Sequence, residues 1–518
     1  MLKEGRFTSV GEDLHTCIIT LVPSGVRQSF PCRTMLSDAL FDMGVMVKTP
    51  CGGRGTCGKC RVILEGGPGE VLACRTSITN DLMVRAQTDK PFNYSVLPEI
   101  KSGVRIAAAV DIGTTTVKMS LVDITRRTAF EIGSFFNPQQ RFGHDVISRI
   151  AAGADPSVLL ALKTLIRKGV RICLEGAFNE LGLAPERLER IVFSGNTTML
   201  YLLFGLDVQP LGRYPYTASS RDFPELNASD LDLPAFVCAR VSALGVFSAF
   251  IGADIIGGLT LVSDMGIAHN TLFLDLGTNG ELFFLGSSKA VHVTSCAMGP
   301  ALEGMNISWG MTACEGAITS IRRTPSGLDY DMVGPGIPSG ITGTALVDLM
   351  AILLDEGIIT PSGLLQATHG RSLGQGIPEG GTDSSQLRLW GDIRLTRKDI
   401  RNVQLAKAAS LTAARLLLKV AGCDPASVEH VFIAGALGGH LVLKNFLRLG
   451  FIPDFPNADY LVLGNTSLKA AEAACMDQDF LQRFAELRGR AEEVVLSCMP
   501  GFQDEFIGSL NFPQHKGG

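Results

Sequence analysis

The sequence predicts a multidomain chain of α+β and α/β type: a small N-terminal module around a cysteine loop, then a duplicated pair of α/β lobes. Three observations carry this. The stretch CGGRGTCGKC sets Cys51, Cys57 and Cys60 in a C-x5-C-x2-C array, and Cys74 follows in VLAC. Near residue 100 a proline-containing, aperiodic stretch gives way to apolar runs that end in glycine turns. Beyond it a strand–turn–strand unit occurs twice, with the turns Asp111-Ile-Gly-Thr-Thr-Thr116 and Asp275-Leu-Gly-Thr-Asn-Gly280.

In the N-terminal module, residues 16–22 (TCIITLV) form a short apolar run rich in β-branched residues, and Pro23-Ser24-Gly25 makes a turn. A second strand around 28–31 completes a hairpin. Between 34 and 46 the apolar residues Met35, Leu36, Leu40, Phe41 and Val45 recur at helical spacing. The cysteine loop and the strand CRVILEG follow. Hairpin, helix, loop and strand add up to a β-grasp ferredoxin fold over roughly residues 10–90. Four thiolates are soft anionic ligands suited to an iron–sulfur cluster or to zinc. The interleaved Gly52, Gly53, Gly55 and Gly58 let the loop turn through positive φ and bring N–H groups close to sulfur. Structural zinc usually takes two C-x2-C pairs, and only Cys57 and Cys60 form one here, so 2Fe–2S is favoured over zinc and over free or disulfide-bonded cysteines.

Composition narrows the function classes. The chain has 518 residues, 46% apolar and 19% charged, enough for two or three domains with large cores. A net charge of −5 and a pI near 6.0 leave no footprint for nucleic acid or an anionic membrane. Thirteen cysteines, an odd count with Cys173, Cys238 and Cys314 standing singly, fit a reducing cytoplasm better than a disulfide framework, and MLKEGRFTSVGED lacks the layout of a secretion signal. The apolar stretch 241–263 reads as a buried helix of an α/β core, since glycines crowd it and no basic flank orients it in a bilayer.

Residues 1–84 are therefore expected to form the ferredoxin-like domain, 85–104 an extended linker, and 105–518 the two lobes, divided at about 105–265 and 266–518. In the first lobe IAAAVD (106–111) is a buried strand, VKMSLVDI the next, 156–182 an amphipathic helix, and IVFSGNTTML (191–200) a strand, glycine turn and helix start. TLFLDLGTNGELFFLG opens the second cycle at Thr271, with long helices at 342–354 and 398–420 and a strand–turn–helix at 428–441.

Each Asp-x-Gly-Thr hairpin puts a carboxylate at a strand end and gathers backbone and hydroxyl donors in a turn. Consecutive N–H groups of that kind make an anion nest suited to phosphate. The aspartates suit a hydrated magnesium ion, which takes one or two carboxylates plus waters. A third motif, IAGALGG, sets Gly435, Gly438 and Gly439 where a strand turns into a helix, so that a nucleoside can lie against backbone. Three such motifs in this order resemble the acetate and sugar kinase/heat-shock chaperone/actin superfamily. That resemblance implies an actin-like fold with ATP bound between duplicated lobes.

A ferredoxin module joined to such lobes resembles the reductive activators of corrinoid-dependent methyltransferases, including those for O-demethylase corrinoid proteins. The resemblance extends over nearly the whole chain, through NPQQRFGHDVISRI (137–150), LDLGTNGE (274–281), GPALEGMNISWGMTACEGAI (299–318), ITGTALVDLMAILLDEGII (341–359), LTRKDIRNVQLAKAA (395–409) and IAGALGGHL (433–441). It implies a cytoplasmic enzyme that uses Mg-ATP to make an uphill electron transfer feasible, from its cluster to cobalt(II) of a corrinoid protein. On this reading Cys51, Cys57, Cys60 and Cys74 hold the cluster. Asp111, Gly113, Thr114 and Thr115 form the first phosphate loop; Asp275, Gly277, Thr278 and Asn279 form the second; Gly435, Gly438 and Gly439 form the nucleoside turn. Asp111, Asp275 and Glu303 are the catalytic candidates. Glu281 and Glu303 either orient water and metal or act as caps and ion-pair partners. His144 and Asp145 either help close the cleft or are structural, and Cys475 and Cys498 read as ordinary thiols.

Some members of the family carry a middle domain after the ferredoxin module. The short 85–104 segment implies that it is missing here, which bears on docking and on whether the chain forms a homodimer. Two other functions compete: a nucleotide-switched binding module of chaperone type with the cluster as redox sensor, and a small-molecule kinase. The kinase reading leaves the cluster without a task.

Overall fold

The computed structural model describes residues 15–45, 47, 53, 55, 58, 60–86, 104–143, 145–267, 269–277, 279–287, 290–366, 385–435 and 441–514. Cys51, Cys57, His144, Thr278, Gly438, Gly439 and nearly all of the expected linker lie outside the described residues. The chain divides into two compact units, Met1–Pro91 and Phe92–Gly518.

In the first unit, β1 (Thr16–Leu21) and β2 (Arg27–Pro31) form the expected hairpin, followed by α1 (Leu36–Asp42), β3 (Arg61–Glu65), β4 (Gly69–Leu72) and β5 (Leu82–Ala86). The sheet order is β2-β1-β5-β3-β4, with β1 and β5 parallel and the other neighbours antiparallel. Cys17, Ile19 and Leu21 alternate inward along β1, and α1 buries Leu36, Ala39 and Leu40 in the same core. Cys17 and Cys32 form a disulfide. The spacing of the cysteines in sequence gave no hint of this bridge, because pairing is a matter of which strand ends meet.

The second unit holds two six-stranded sheets of like topology. The first contains β6 (Ile106–Ile112), β7 (Thr116–Asp123) and β8 (Thr128–Phe136) as an antiparallel meander. After it come α2 (Val146–Ala152), α3 (Pro156–Glu180), β9 (Leu188–Gly195), α4 (Thr197–Phe204), α5 (Gln209–Gly212), β10 (Leu226–Asn227) and β11 (Arg240–Ala243). The order is β10-β11-β9-β6-β7-β8, with β9 parallel to both β6 and β11. Helix α6 (Ala253–Asp264) then leads to the second meander, β12 (Thr271–Leu276), β13 (Gly280–Leu285) and β14 (Val291–Cys296). A small sheet of β15 (Ala317–Thr324), β16 (Gly327–Met332) and β17 (Gly340–Ile341) is followed by α7 (Gly343–Asp355). The short pair β18 (Gln386–Arg388) and β19 (Arg394–Thr396) precedes α8 (Arg397–Val420), β20 (His430–Ala434), α9 (Leu443–Leu449) and β21 (Asp459–Gly464). The chain closes with α10 (Thr466–Met476), α11 (Gln478–Arg490), β22 (Ala491–Glu493) and α12 (Phe502–Gly508). The second sheet runs β21-β20-β12-β13-β14-β22, with β20 parallel to β12 and β21.

The duplication is therefore one of register as well as order. Asp111 on β6 lies opposite Ser194 of its parallel neighbour, and Asp275 on β12 lies opposite Ala434 of its own. The stretch 241–263 resolves into the end of β11, a loop and the buried α6. Among the described residues no helix is long and apolar enough to cross a membrane. Two glycines of α6 explain why it can sit deep in the unit. A Cβ on Gly257 would lie 2.6 Å from Ala470 Cβ of α10, and one on Gly258 would lie 2.5 Å from Phe273 Cζ of β12. Although it follows β21 of the second sheet in sequence, α10 packs on the first: Cys475 Sγ lies 3.5 Å from the Ala108 carbonyl of β6.

Candidate nucleotide cleft and cluster site

The first Asp-x-Gly-Thr loop is held from three sides. Asn137 Nδ2 donates to the Gly113 carbonyl at 2.9 Å, Arg149 Nη2 to the Thr114 carbonyl at 2.6 Å, and Gln140 Nε2 to the Thr115 carbonyl at 3.1 Å. All three donors come from the NPQQRFGHDVISRI stretch. The Thr114 hydroxyl accepts from Asn196 Nδ2 at 3.0 Å. With its carbonyls engaged, the loop meets the cavity through residues 111–116.

Asp111 is bound at both oxygens. Asn465 Nδ2 donates to Oδ2 and Ser467 Oγ to Oδ1, each at 2.7 Å, and Ser467 Oγ also lies 2.9 Å from Ser194 Oγ. Burial pushes the Asp111 carboxyl up, while those two bonds and the nearby Lys118 ammonium hold part of the rise back.

The second loop faces the same space. Asp275, Gly277, Asn279, Glu281 and Gly435 line one cavity of about 780 Å³ together with Asp111, Gly113, Thr114, Thr115, Asp254 and Glu303. That volume lies in the usual range for a small-molecule site, roughly 300–1,000 Å³. Gly435, at φ +98°, is where β20 passes closest to the second loop: a Cβ there would lie 2.4 Å from the Leu276 carbonyl and 2.9 Å from Asp275 Oδ1. Only glycine fits. Across the cleft, Thr115 Oγ1 donates to Glu303 Oε2 at 2.5 Å, joining the first loop to the segment after β14.

The carboxylates repel one another in a poorly solvated space. Burial, then the charges of Asp254 and Asp111, pushes Asp275 well above the usual range. Glu281 is raised likewise by burial and by Asp254 and Asp275. Asp254, which the motif reading did not single out, is pushed up to about 6, chiefly by burial and further by Asp111. Among the described residues no three His, Cys, Asp or Glu side chains converge tightly enough to enclose a metal ion. Asp111 and Asp275 on the cavity wall are carboxylates of the number that a hydrated magnesium ion takes alongside its waters.

Asp145 caps α2, accepting from Ser148 N at 2.7 Å, so its role is structural. Cys475 is buried with its thiol pushed up to about 12, and Cys498 is exposed. In the first unit, Cys60 Sγ and Cys74 Sγ lie 3.1 Å apart, and Gly53, Gly55 and Gly58 all take positive φ. Two thiolates on one tetrahedral metal with bonds of about 2.3 Å would sit roughly 3.7 Å apart. At 3.1 Å the pair is closer than that spacing.

The residues that motif reading missed are Asn137, Gln140, Arg149, Asn196, Asn465 and Ser467. A signal was available for two of them. GNTTML (195–200) and GNTSLK (464–469) are near-repeats, and Asn196 and Asn465 cap α4 and α10 in the same way while reaching Thr114 and Asp111.

Residues 21–79 match the 2Fe–2S iron–sulfur cluster binding domain. Residues 269–517 match the C-terminal domain of RACo, the ASKHA domain, and 106–267 match the RACo middle region. A middle region is thus present, in the segment that carries the first sheet, and the expectation that it is missing gives way. Fold and site together define a 2Fe–2S module joined to lobes of the acetate and sugar kinase/heat-shock chaperone/actin class. The corrinoid activation enzyme RamQ of Eubacterium limosum is 28% identical, covering 93% of this chain and 96% of its own. The [Co(II) methylated amine-specific corrinoid protein] reductase of Methanosarcina barkeri is 24% identical over 78% and 76% of the two chains. The solved reductive activator for corrinoid,iron-sulfur protein superposes with a TM-score of 0.72 at 26% identity, over 96% of this chain and 98% of that one. The chain belongs to the family of reductive activators of corrinoid-dependent methyltransferase systems.

Proposed function

We propose that this protein is an ATP-dependent reductive activator that returns cobalt(II) of a corrinoid protein to cobalt(I). One observation carries the reading furthest: two equivalent Asp-x-Gly-Thr turns, Gly435 and a ring of raised carboxylates face a single cavity, in a chain whose N-terminal unit matches a 2Fe–2S domain. The names of its relatives support the acceptor class. Cys51, Cys57, Cys60 and Cys74 would hold a 2Fe–2S cluster, which when bound would supply one-electron chemistry toward the cobalt of the partner.

The remaining roles belong to the cleft. The loop of Gly113, Thr114 and Thr115 and that of Gly277, Thr278 and Asn279 bind phosphate oxygens through backbone and hydroxyl donors. Gly435, Gly438 and Gly439 give the nucleoside a side-chain-free wall. Asp111 and Asp275 orient the water shell of magnesium. Asp111 does so while fixed by Asn465 and Ser467, which also favour its charged form. Glu303 is the carboxylate we assign to the attacking water. Its bond to Thr115 is available for exchange when a terminal phosphate enters. Site occupancy and cleft closure would then change together, which is how hydrolysis can be coupled to electron transfer. A cytoplasmic setting fits this chemistry, and a homodimer is compatible with it.

The test is anaerobic mixing of reduced protein, Mg-ATP and a cobalt(II) corrinoid protein while following the cobalt(I) absorption. An ATP-dependent cobalt(I) signal supports the reading, and its absence with every corrinoid protein encoded beside this chain's gene removes it.

A further inference from the structure

Thr114 is gripped twice, and both grips lead to one exposed surface. Arg149 is fully buried on α2, and besides the Thr114 carbonyl it donates to the Gly143 carbonyl at 2.9 Å and lies 3.1 Å from Met199 Sδ. Burial lowers its pKa to about 10, and the charges of Asp145 and Glu303 favour keeping it cationic. The helix that carries it is locked to α5: Gln209 Nε2 donates to the Ile150 carbonyl at 2.5 Å, and a Cβ on Gly212 would lie 2.6 Å from Ile150 Cγ2. Directly after α5 comes the loop with Tyr214 and Tyr216, which are 87% and 45% exposed.

The second route starts at the Thr114 hydroxyl. Asn196 donates to it at 3.0 Å, and the adjacent Thr197 Oγ1 donates to the Ser248 carbonyl at 2.7 Å. Ser248 in turn fixes Phe250, whose N–H donates to Ser248 Oγ at 3.2 Å, and Phe250 is 38% exposed. The two routes end side by side. Tyr216 lies 5.2 Å from Phe250 and 6.2 Å from Tyr214, measured between ring centroids.

We propose that Arg149 and Asn196 are positioning residues of the nucleotide loop, acting through Thr114, and that they transmit its state to the aromatic surface of Tyr214, Tyr216 and Phe250. This rests on the reading of the cleft as an ATP site and deepens it by naming where occupancy is felt on the outside. Arg149 does not line the cavity, and Asn196 meets it beside Thr114, whose hydroxyl it holds. Each fixes one end of the same threonine, so a phosphate that repositions Thr114 pulls on α2–α5 by one bond and on the 247–251 turn by the other. A chain of contacts becomes evidence of coupling only when perturbing it changes the coupling.

The experiment is hydrogen–deuterium exchange of the full-length protein with and without a magnesium complex of a non-hydrolysable ATP analogue, with nucleotide binding measured separately by calorimetry. In the natural protein, exchange of both 209–217 and 247–251 is expected to change when the analogue binds. Arg149→Met should abolish the response at 209–217 and spare 247–251, and Asn196→Ala should do the converse. Each variant should raise the Kd for the analogue by about tenfold, the usual worth of one charged or well-placed hydrogen bond. Arg149→Lys, which keeps the cation in the same packing, guards against a variant that fails to fold and should recover part of the affinity. Binding without any response at either segment overturns the proposal, as does a pair of variants that only lower Tm and leave affinity and exchange unchanged. Failure of the natural protein to bind the analogue overturns the ATP reading as well, so the two failures are distinguishable.

Discussion

Burial, and beyond it the Asp111 charge, pushes Asp254 up to about 6, against an ordinary carboxylate near about 4. Between those values the folded state binds more protons than the unfolded one, so stability falls as pH rises from about 4 to about 6 and then levels off. Thermal melts of nucleotide-free protein across that window should show the decline, and Asp254→Asn should lessen it, the remainder coming from Asp111, Asp275 and Glu281. Mg-nucleotide should offset the loss above about pH 6, because a divalent cation relieves the repulsion. A variant with an unchanged pH profile would mean that Asp254 does not feel its neighbours. Glu303→Gln tests the assignment of the attacking water. It keeps the acceptor for Thr115 but removes the base, so ATP hydrolysis should fall by about 10²-fold or more with the Kd for Mg-ATP little changed. At this scale the two Asp-x-Gly-Thr turns that line the cavity were legible because tight strand–turn–strand units repeat glycine and threonine at one spacing. Asn137, Gln140 and Arg149 were not, since they act on carbonyls that no motif specifies.

Among the elements, α6 and α10 decide how the two sheets approach. Gly258 lets α6 lie against Phe273, a stiff ring that cannot swing aside cheaply. Gly258→Val should overpack that contact, lowering stability by about 1–3 kcal/mol and depressing ATP hydrolysis with it. Melting temperature and turnover measured on the same sample check this, and an unaltered Tm would show that the contact yields. The helices at 156–180, 343–355 and 397–420 were readable from apolar spacing to within a residue or two at each end. The packing of α10 on the first sheet was not readable, because helical periodicity tells which face is buried but not against what. The GNT repeat is the one local sign that α10 and α4 do related work at the same loop.

The whole molecule joins a 2Fe–2S domain to the ASKHA-type unit that carries the cleft, and each half can be disabled separately. Cys60→Ser should abolish the visible iron–sulfur absorption while leaving the Kd for Mg-ATP unchanged, since Cys60 and the cleft belong to different compact units. Retention of the full spectrum would remove Cys60 from the ligand set. The duplicated topology was legible in outline from two Asp-x-Gly-Thr turns, and the structure adds their matched register on β6 and β12. The central claim is that nucleotide and cluster serve one reaction. It is tested most directly by stopped-flow absorption of the chemically reduced protein with its cobalt(II) corrinoid partner, with and without Mg-ATP, under anaerobic conditions. The account predicts cobalt(I) formation at least tenfold faster with Mg-ATP than without, and lost in both Cys60→Ser and Glu303→Gln. Equal rates with and without Mg-ATP would contradict it.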